Sequence, residues 1–295
     1  DSKKLYFLDK DMRALAGEIS YYYHTYGDIV IADFYTYLND KKELTPETRK
    51  VIEKISEAGH YMVLASGRPM MSVMEVGEQL GIPDNNLYYI GSNGGIVVEA
   101  ATGHVIMEKR LELKDVEYIF DVCEKMGVHI HSYTDCAIVS KRQTKELDFY
   151  QKVIHMPTLL VGQASDAFKD KPPLKCVAIS IDGRGKLEQL KEVLKPWAEG
   201  RINLLFSNDN LLEMFPIQSG KGKALEWLSN YLGIPIENTL AAGDQDNDIS
   251  MIEAAGMGVA MCNGAEHVKE IADKVTQKSN NKDGLVPILE DFFEV

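Results

Sequence analysis

Apolar residues follow two rhythms along this chain. Unbroken runs such as "IVIA", which leads into Asp33, and "YMVLA", which leads into Ser66, have the pattern of strands buried on both faces. Between them Val51, Ile52 and Ile55 fall on one helical face. Thr45 is placed to cap that helix, Pro46 sits at its first position, and Gly59 reads as its stop. "MMSVMEVGEQLGI" then reads as a helix and "NLYYIGSNGG" as a strand and a turn. Strand, helix, strand, helix, strand predicts a parallel sheet covered by helices on both sides.

After "SNGG" the rhythm changes. "LKDVEYIFDVCEKMG" is an amphipathic helix built on Val116, Ile119, Phe120 and Cys123, and "HIHSYTD" alternates like a half-exposed strand. "LKCVAISID", "KLEQLKEVL", "INLLFSND" and "LLEMFP" continue in an α+β manner, and "GQASDAFKDKPP" reads as loop. From "KGKALEWLSNYLG" onward the α/β rhythm returns through "TLAAGD", "ISMIEAAG", "MGVAM" and "AEHVKEIAD". The expected fold is α/β, a doubly wound parallel-sheet core with an inserted α+β domain. The core spans 1–110 and 213–295, the insert 111–212, and residues 1–27 form an N-terminal extension with no evident counterpart. At 295 residues, two domains are the natural expectation.

Charge and cysteines narrow the setting. A net charge of -13 argues against a nucleic-acid surface and an anionic membrane partner. Four cysteines without a C-x-x-C pair suit a reducing compartment. No apolar run approaches the ~20 residues of a membrane span, and "DSKKLYFLDKDM" carries charges where a signal peptide would be apolar. The expectation is a cytoplasmic monomer or homodimer.

The densest chemistry is "AAGDQDNDIS", where Asp244, Asp246, Asn247 and Asp248 crowd a turn after a strand. Acids at the carboxyl ends of parallel strands face the crevice where such sheets bind ligands, and oxygen ligands suit Mg²⁺. The competing reading is a solvated acidic turn; the spacing is not that of a calcium-binding loop. Ser66 could hydrogen-bond a phosphate oxygen or simply cap the next helix. Lys221, between glycines at a helix start, could reach an anion or lie in solvent. Asn93 and Gly94 in "SNGG" could approach a ligand or form an ordinary turn. His129 and His131 on one strand face read as structural, and the tyrosines as packing.

Asp33, Ser66, Lys221 in "KGKAL" and "GDQDND", in that order, resemble the haloacid dehalogenase superfamily of phosphohydrolases. The likeness is to its Cof-type sugar-phosphate phosphatase branch, which carries a large cap inserted after the third core strand. It runs from about Asp28 to Val295, and Cys262 in "MCNGA" stands where the branch has glycine. The resemblance implies that Asp33 is a nucleophile forming an aspartyl-phosphate. It implies a Mg²⁺ ion held by Asp33, the backbone carbonyl of Tyr35 and Asp244, with Asp248 helping directly or through water. Ser66 and Lys221 would bind the transferring phosphoryl group, Asn247 would orient the acidic loop, Tyr35, Asn93 and Gly94 would border the substrate, and the cap would select it.

One motif departs from the pattern. The family's first motif is D-x-D-G-T; here it is Asp33-Phe34-Tyr35-Thr36-Tyr37, one residue short. The second Asp, the general acid, is missing, a role commonly worth ~10² to 10⁴ in rate. Tyr35, with an unperturbed pKa of about 10, is a poor substitute. Asp9-Lys10-Asp11 offers another D-x-D but lies too far before Ser66. The reading is a Mg²⁺-dependent phosphohydrolase of small phosphorylated metabolites with a degraded first motif, favouring nitrophenyl phosphate over sugar phosphates. The alternative is a non-catalytic or very slow relative that binds Mg²⁺ and a phosphorylated ligand.

Overall fold

The structure, a computed structural model, describes residues 27–152, 154 and 156–295, without the side chains of Phe34, Tyr35, Gln79 and Leu80. Asp9 and Asp11, with all of the extension before Gly27, lie outside the described residues.

Five strands come first: β1 (Ile29–Asp33), β2 (Tyr61–Ala65), β3 (Leu87–Gly91), β4 (Ile96–Glu99) and β5 (Val105–Glu108). Six more follow in a separate sheet: β6 (His129–Tyr133), β7 (Ile138–Ser140), β8 (Thr158–Leu160), β9 (Cys176–Ile179), β10 (Ile202–Asn208) and β11 (Leu211–Pro216). The chain then returns to the first sheet with β12 (Thr239–Gly243), β13 (Met257–Ala260) and β14 (Lys274–Val275).

The first sheet has eight strands in the order β14-β13-β12-β1-β2-β3-β4-β5. β1 lies in the middle, parallel to both neighbours, with Asp33 opposite Ala65 and Ala32 opposite Ala242. Its side chains alternate between two cores. Val30 and Ala32 join Val51, Ile52 and Ile55 of the helix Pro46–Glu57, while Ile29 and Ile31 join Leu225, Leu228 and Met251 on the other face. An unbroken apolar run is what burial on both faces requires. Thr45 caps the first helix by accepting a hydrogen bond from the Thr48 N–H. The sheet departs from the expectation of all-parallel pairing at one edge, where β4 and β5 run antiparallel. A short hairpin after β3 needs no crossover helix, so that edge is built locally.

The second sheet, the cap, is ordered β10-β11-β9-β6-β7-β8 and is antiparallel except between β7 and β8. The helices Leu113–Lys125 and Arg184–Ala198 cover it through Phe120, Leu190 and Leu194. β11 runs past the boundary expected at 212, pairing with β10 along its length and with β9 over Leu211 to Met214. "GQASDAFKDKPP" is not all loop: a short helical turn, Ala164–Phe168, is anchored by Phe168 in the cap core. β6, expected to be half-exposed, is buried at every position. Among the described residues, no helix is long and apolar enough to cross a membrane.

Candidate active site

The carboxyl end of β1 delivers Asp33, which is buried. The Thr36 hydroxyl donates to the Asp33 carbonyl at 2.7 Å, turning the chain straight into the one-turn helix Phe34–Tyr37. Facing Asp33 is Lys221, the first residue of the helix Lys221–Leu232, with its ammonium fully buried. It donates to Asp33 Oδ2 at 2.7 Å and to Asp248 Oδ1 at 2.6 Å. Burial alone would push the lysine pKa down, but the Asp248 and Asp33 carboxylates outweigh it and raise it, so the side chain is a cation. One residue short or not, the strand places Asp33 on the lysine.

Asp248 organises the acidic loop. Its Oδ2 accepts the backbone N–H groups of Asp244 at 2.9 Å and Gln245 at 3.1 Å, so both of its oxygens are engaged by protein donors. Gln245 and Asp248 together form a capping box around the turn Asp246–Asp248. Asp244 stands beside this arrangement. Burial, then the negative charges of Asp248 and Asp33, push its carboxyl up to about 6. Ser66, at the end of β2, is buried and its Oγ accepts the Arg68 N–H at 3.2 Å. This is a local turn rather than a cap, since the next helix, Met70–Leu80, has Pro69 at its N-cap and no side-chain cap hydrogen bond.

Asp33, Ser66, Asp244, Asn247 and Asp248 border one cavity of about 210 Å³ between core and cap. The cap side supplies Lys175, Glu213 and Tyr150, none of which was singled out from the sequence. Lys175 is buried, donates to the Gly67 carbonyl at 2.6 Å and pairs with Glu213. Glu213 also accepts from Asn93 Nδ2 at 2.7 Å, a core–cap hydrogen bond. A signal for these residues did exist. Glu213 is a lone acid inside the apolar run "LLEMFP", and Lys175 abuts the buried run "CVAI"; buried charges of that kind need partners.

Other expectations change. Asn93 is buried behind Glu213 and does not border the cavity, and neither does Gly94. Gly94 has φ of 81°, and a Cβ there would lie 2.2 Å from the Gly220 carbonyl oxygen, so its role is to let two loops meet next to Lys221. Asn247 does border the cavity, but the hydrogen bonds that orient the loop run through Gln245 and Asp248. The Tyr35 backbone lies in the helical turn after Asp33.

Among the described residues, no three His, Cys, Asp or Glu side chains form a metal-holding group. The donor chemistry still fits Mg²⁺, which needs only one or two carboxylates together with water and a phosphate. Asp244, pushed up by neighbouring negative charge, is where a cation would relieve that repulsion.

A strand-end acid, a cation and an acidic loop under an inserted cap define a capped, doubly wound hydrolase. The chain belongs to the haloacid dehalogenase-like hydrolases, whose family model matches residues 36–289. The match begins at Thr36, three residues after Asp33. Among curated proteins, the chain is 28% identical to the Bacillus subtilis 5-amino-6-(5-phospho-D-ribitylamino)uracil phosphatase YwtE, over 85% of this chain and 92% of that protein. It is 28% identical to the Bacillus subtilis phosphatase YwpJ, over 86% of this chain and 95% of that one. A solved haloacid dehalogenase-like hydrolase from Bacteroides thetaiotaomicron superposes with a TM-score of 0.79 at 28% identity, covering 90% of this chain and 100% of its own.

Proposed function

We propose that the protein hydrolyses phosphate monoesters of small metabolites, with Asp33 as the nucleophile. The observation that carries this reading is the buried ammonium of Lys221, held at 2.7 Å from Asp33, which borders one cavity with Ser66 and Asp244. An ammonium on a carboxylate favours the anion, the form that attacks. Asp33 bonds to phosphorus and the ester oxygen departs; water then releases phosphate from the acyl-phosphate. Lys221 neutralises charge on the phosphoryl oxygens as it grows, and the Ser66 hydroxyl donates to one of them. Mg²⁺, held by Asp33 and Asp244 with water, would supply further charge neutralisation at the same oxygens; Asp248, with both oxygens engaged, would stand behind them. The relatives named as phosphatases of a phosphorylated ribityl compound support a small polar ester as the substrate class. The free cysteines suit action in the cytoplasm.

The missing acid after Asp33 favours a second reading, a protein that binds Mg²⁺ and a phosphorylated ligand without turnover. Hydrolysis of nitrophenyl phosphate with Mg²⁺ separates the two. Catalysis is expected from the parent and only the uncatalysed background from Asp33→Ala. A parent that binds Mg²⁺ in a calorimeter yet hydrolyses no phosphate ester would overturn the catalytic reading in favour of the second.

A further inference from the structure

The cap contains a buried polar chain that this chemistry leaves unused. His129 and His131 project from the same side of β6, 5% and 0% exposed. His129 Nε2 lies 3.1 Å from His131 Nδ1, and His131 Nε2 lies 2.8 Å from the Tyr133 hydroxyl. Tyr133 in turn donates to the Tyr150 hydroxyl at 2.6 Å. At the far end the half-buried Thr144 hydroxyl is 2.8 Å from His129 Nδ1. Tyr150 borders the cavity that holds Asp33.

The donors can be followed link by link. Tyr133 gives its hydrogen to Tyr150, so its oxygen accepts from His131 Nε2–H. His131 Nδ1 must then accept from His129 Nε2–H, and His129 Nδ1 from Thr144. The Thr144 oxygen also accepts the Leu147 N–H, which is compatible with its hydrogen going to the ring. Every hydrogen points toward the cavity, and the Tyr150 hydrogen is the last. Its hydroxyl sits within the electrostatic reach of Glu213 and Arg68, both of which border the same cavity. Burial pushes His129 down to about 4 and His131 well below its ordinary range, so each neutral ring has one donor and one acceptor, as the chain requires. Buried polar groups need partners, but a network that only fills space need not run from a half-exposed hydroxyl to a reaction cavity.

We propose that Tyr150 is the catalytic proton donor to the leaving group, in place of the acid missing after Asp33, and that Tyr133, His131, His129 and Thr144 recharge it from solvent. The inference rests on the phosphatase reading above. As Asp33 bonds to phosphorus, the ester P–O bond breaks; the leaving oxygen keeps the electron pair and takes the Tyr150 proton, departing as an alcohol. The phenolate takes a proton from Tyr133, one proton shifts across each link, and Thr144 takes one from bulk water, reversing the polarity of the whole chain. When water attacks the acyl-phosphate, its proton returns along the same path, and phosphate and the Asp33 carboxylate are released. Burial pushes the Tyr150 phenol above the ordinary tyrosine value, which makes it a weaker acid than a free phenol. It serves here because the developing alkoxide is the stronger base and because a chain of donors backs it.

The test compares a sugar phosphate, whose alkoxide needs the proton, with nitrophenyl phosphate, whose phenolate does not. In Tyr150→Phe the ratio of the two kcat values is expected to fall on the order of 10²-fold against the sugar phosphate. His131→Phe, which cuts the chain at a positioning residue, is expected to shift the ratio in the same direction. The sugar-phosphate rate of the parent should show a curved proton inventory in mixed H₂O and D₂O, and that of Tyr150→Phe a straight one. An unchanged ratio in Tyr150→Phe, or an equal loss on both esters, overturns the proposal. If His131→Phe does not fold, Tyr150→Phe, which keeps its ring packed, decides alone. A parent active on nitrophenyl phosphate but on no sugar phosphate overturns this inference and leaves the phosphatase reading standing, whereas a parent active on neither overturns both.

Discussion

Lys221 holds Asp33 and Asp248 with one buried charge, and Asp244 is left as the acid without a cation of its own. Folding raises the Asp244 carboxyl from its ordinary 3.8 to about 6, so the native state binds that proton more tightly than the unfolded chain. The ionised group therefore destabilises the metal-free protein. The penalty is complete above about pH 6, shrinks as the pH falls through the window, and is gone below 3.8. In thermal melts without metal, Asp244→Asn is expected to be more stable than the parent at pH 7.5, on the order of 1 to 3 kcal/mol, with the difference closing by about pH 4. Adding Mg²⁺ should raise the Tm of the parent and leave that of Asp244→Asn almost unmoved. Equal melting of the two proteins at every pH, with or without Mg²⁺, would show that Asp244 neither carries the repulsion nor holds the ion.

Among the elements, the helix Lys221–Leu232 sets the site because of how closely it lies on the helix Ile249–Ala254. A Cβ on Gly222 would meet the Ser250 carbonyl oxygen at 2.0 Å, so the two backbones touch through that glycine. Gly222→Ala must push the helices apart, at about 1 to 3 kcal/mol, and carry the neighbouring Lys221 away from Asp33. Urea denaturation and kcat are both expected to fall, whereas Gly185→Ala, in the open with nothing within 4 Å, should be neutral or slightly stabilising. A Gly222→Ala protein with parental kcat would mean that Lys221 is not held in place by this contact. Such close approaches are tertiary facts, and they mark the limit of what the pattern of residues could say. β1, β2 and β12 were legible because strands buried on both faces leave unbroken apolar runs, and the helix after Thr45-Pro46 because capping chemistry is local. The hairpin β4–β5 was missed because its runs "IVVE" and "VIME" are only four residues long. Asp33, Ser66, Lys221 and Asp248, which the structure brings close together, could be picked out as candidates because each sits at the end of a readable element. Lys175 and Glu213 left only the trace of a charge in or beside an apolar run, and Tyr150 none, since their significance depends on partners brought from Gly67, Asn93 and Tyr133 by folding.

On the scale of the molecule, the cavity that Asp33 borders lies where core and cap meet, and the two are tied by Lys175 on Gly67 and Asn93 on Glu213. The core itself is closed by its two ends: Asn281 donates to and accepts from Asp40, and Asn280 donates to the Leu38 carbonyl. The central position of β1 has a further consequence. One of its neighbours, β2, follows after the one-turn helix Phe34–Tyr37 and the helix Pro46–Glu57, but the other, β12, begins at Thr239, after the entire cap. A ribosome adding ~5 to 20 residues per second makes the chain wait roughly 10 to 40 s between the two partners. The cap has its own apolar core and all of its strands by Pro216, so it can finish during that interval while one edge of β1 stays unpaired. A fragment of residues 109–217 is therefore expected to give dispersed NMR amide signals and a cooperative melt, and residues 27–217 to show those same signals with the core segment unfolded. A core segment already structured in that longer fragment would show that β1 does not depend on its late partner. The cap can then finish folding first, and the core that carries Asp33 assembles beneath it.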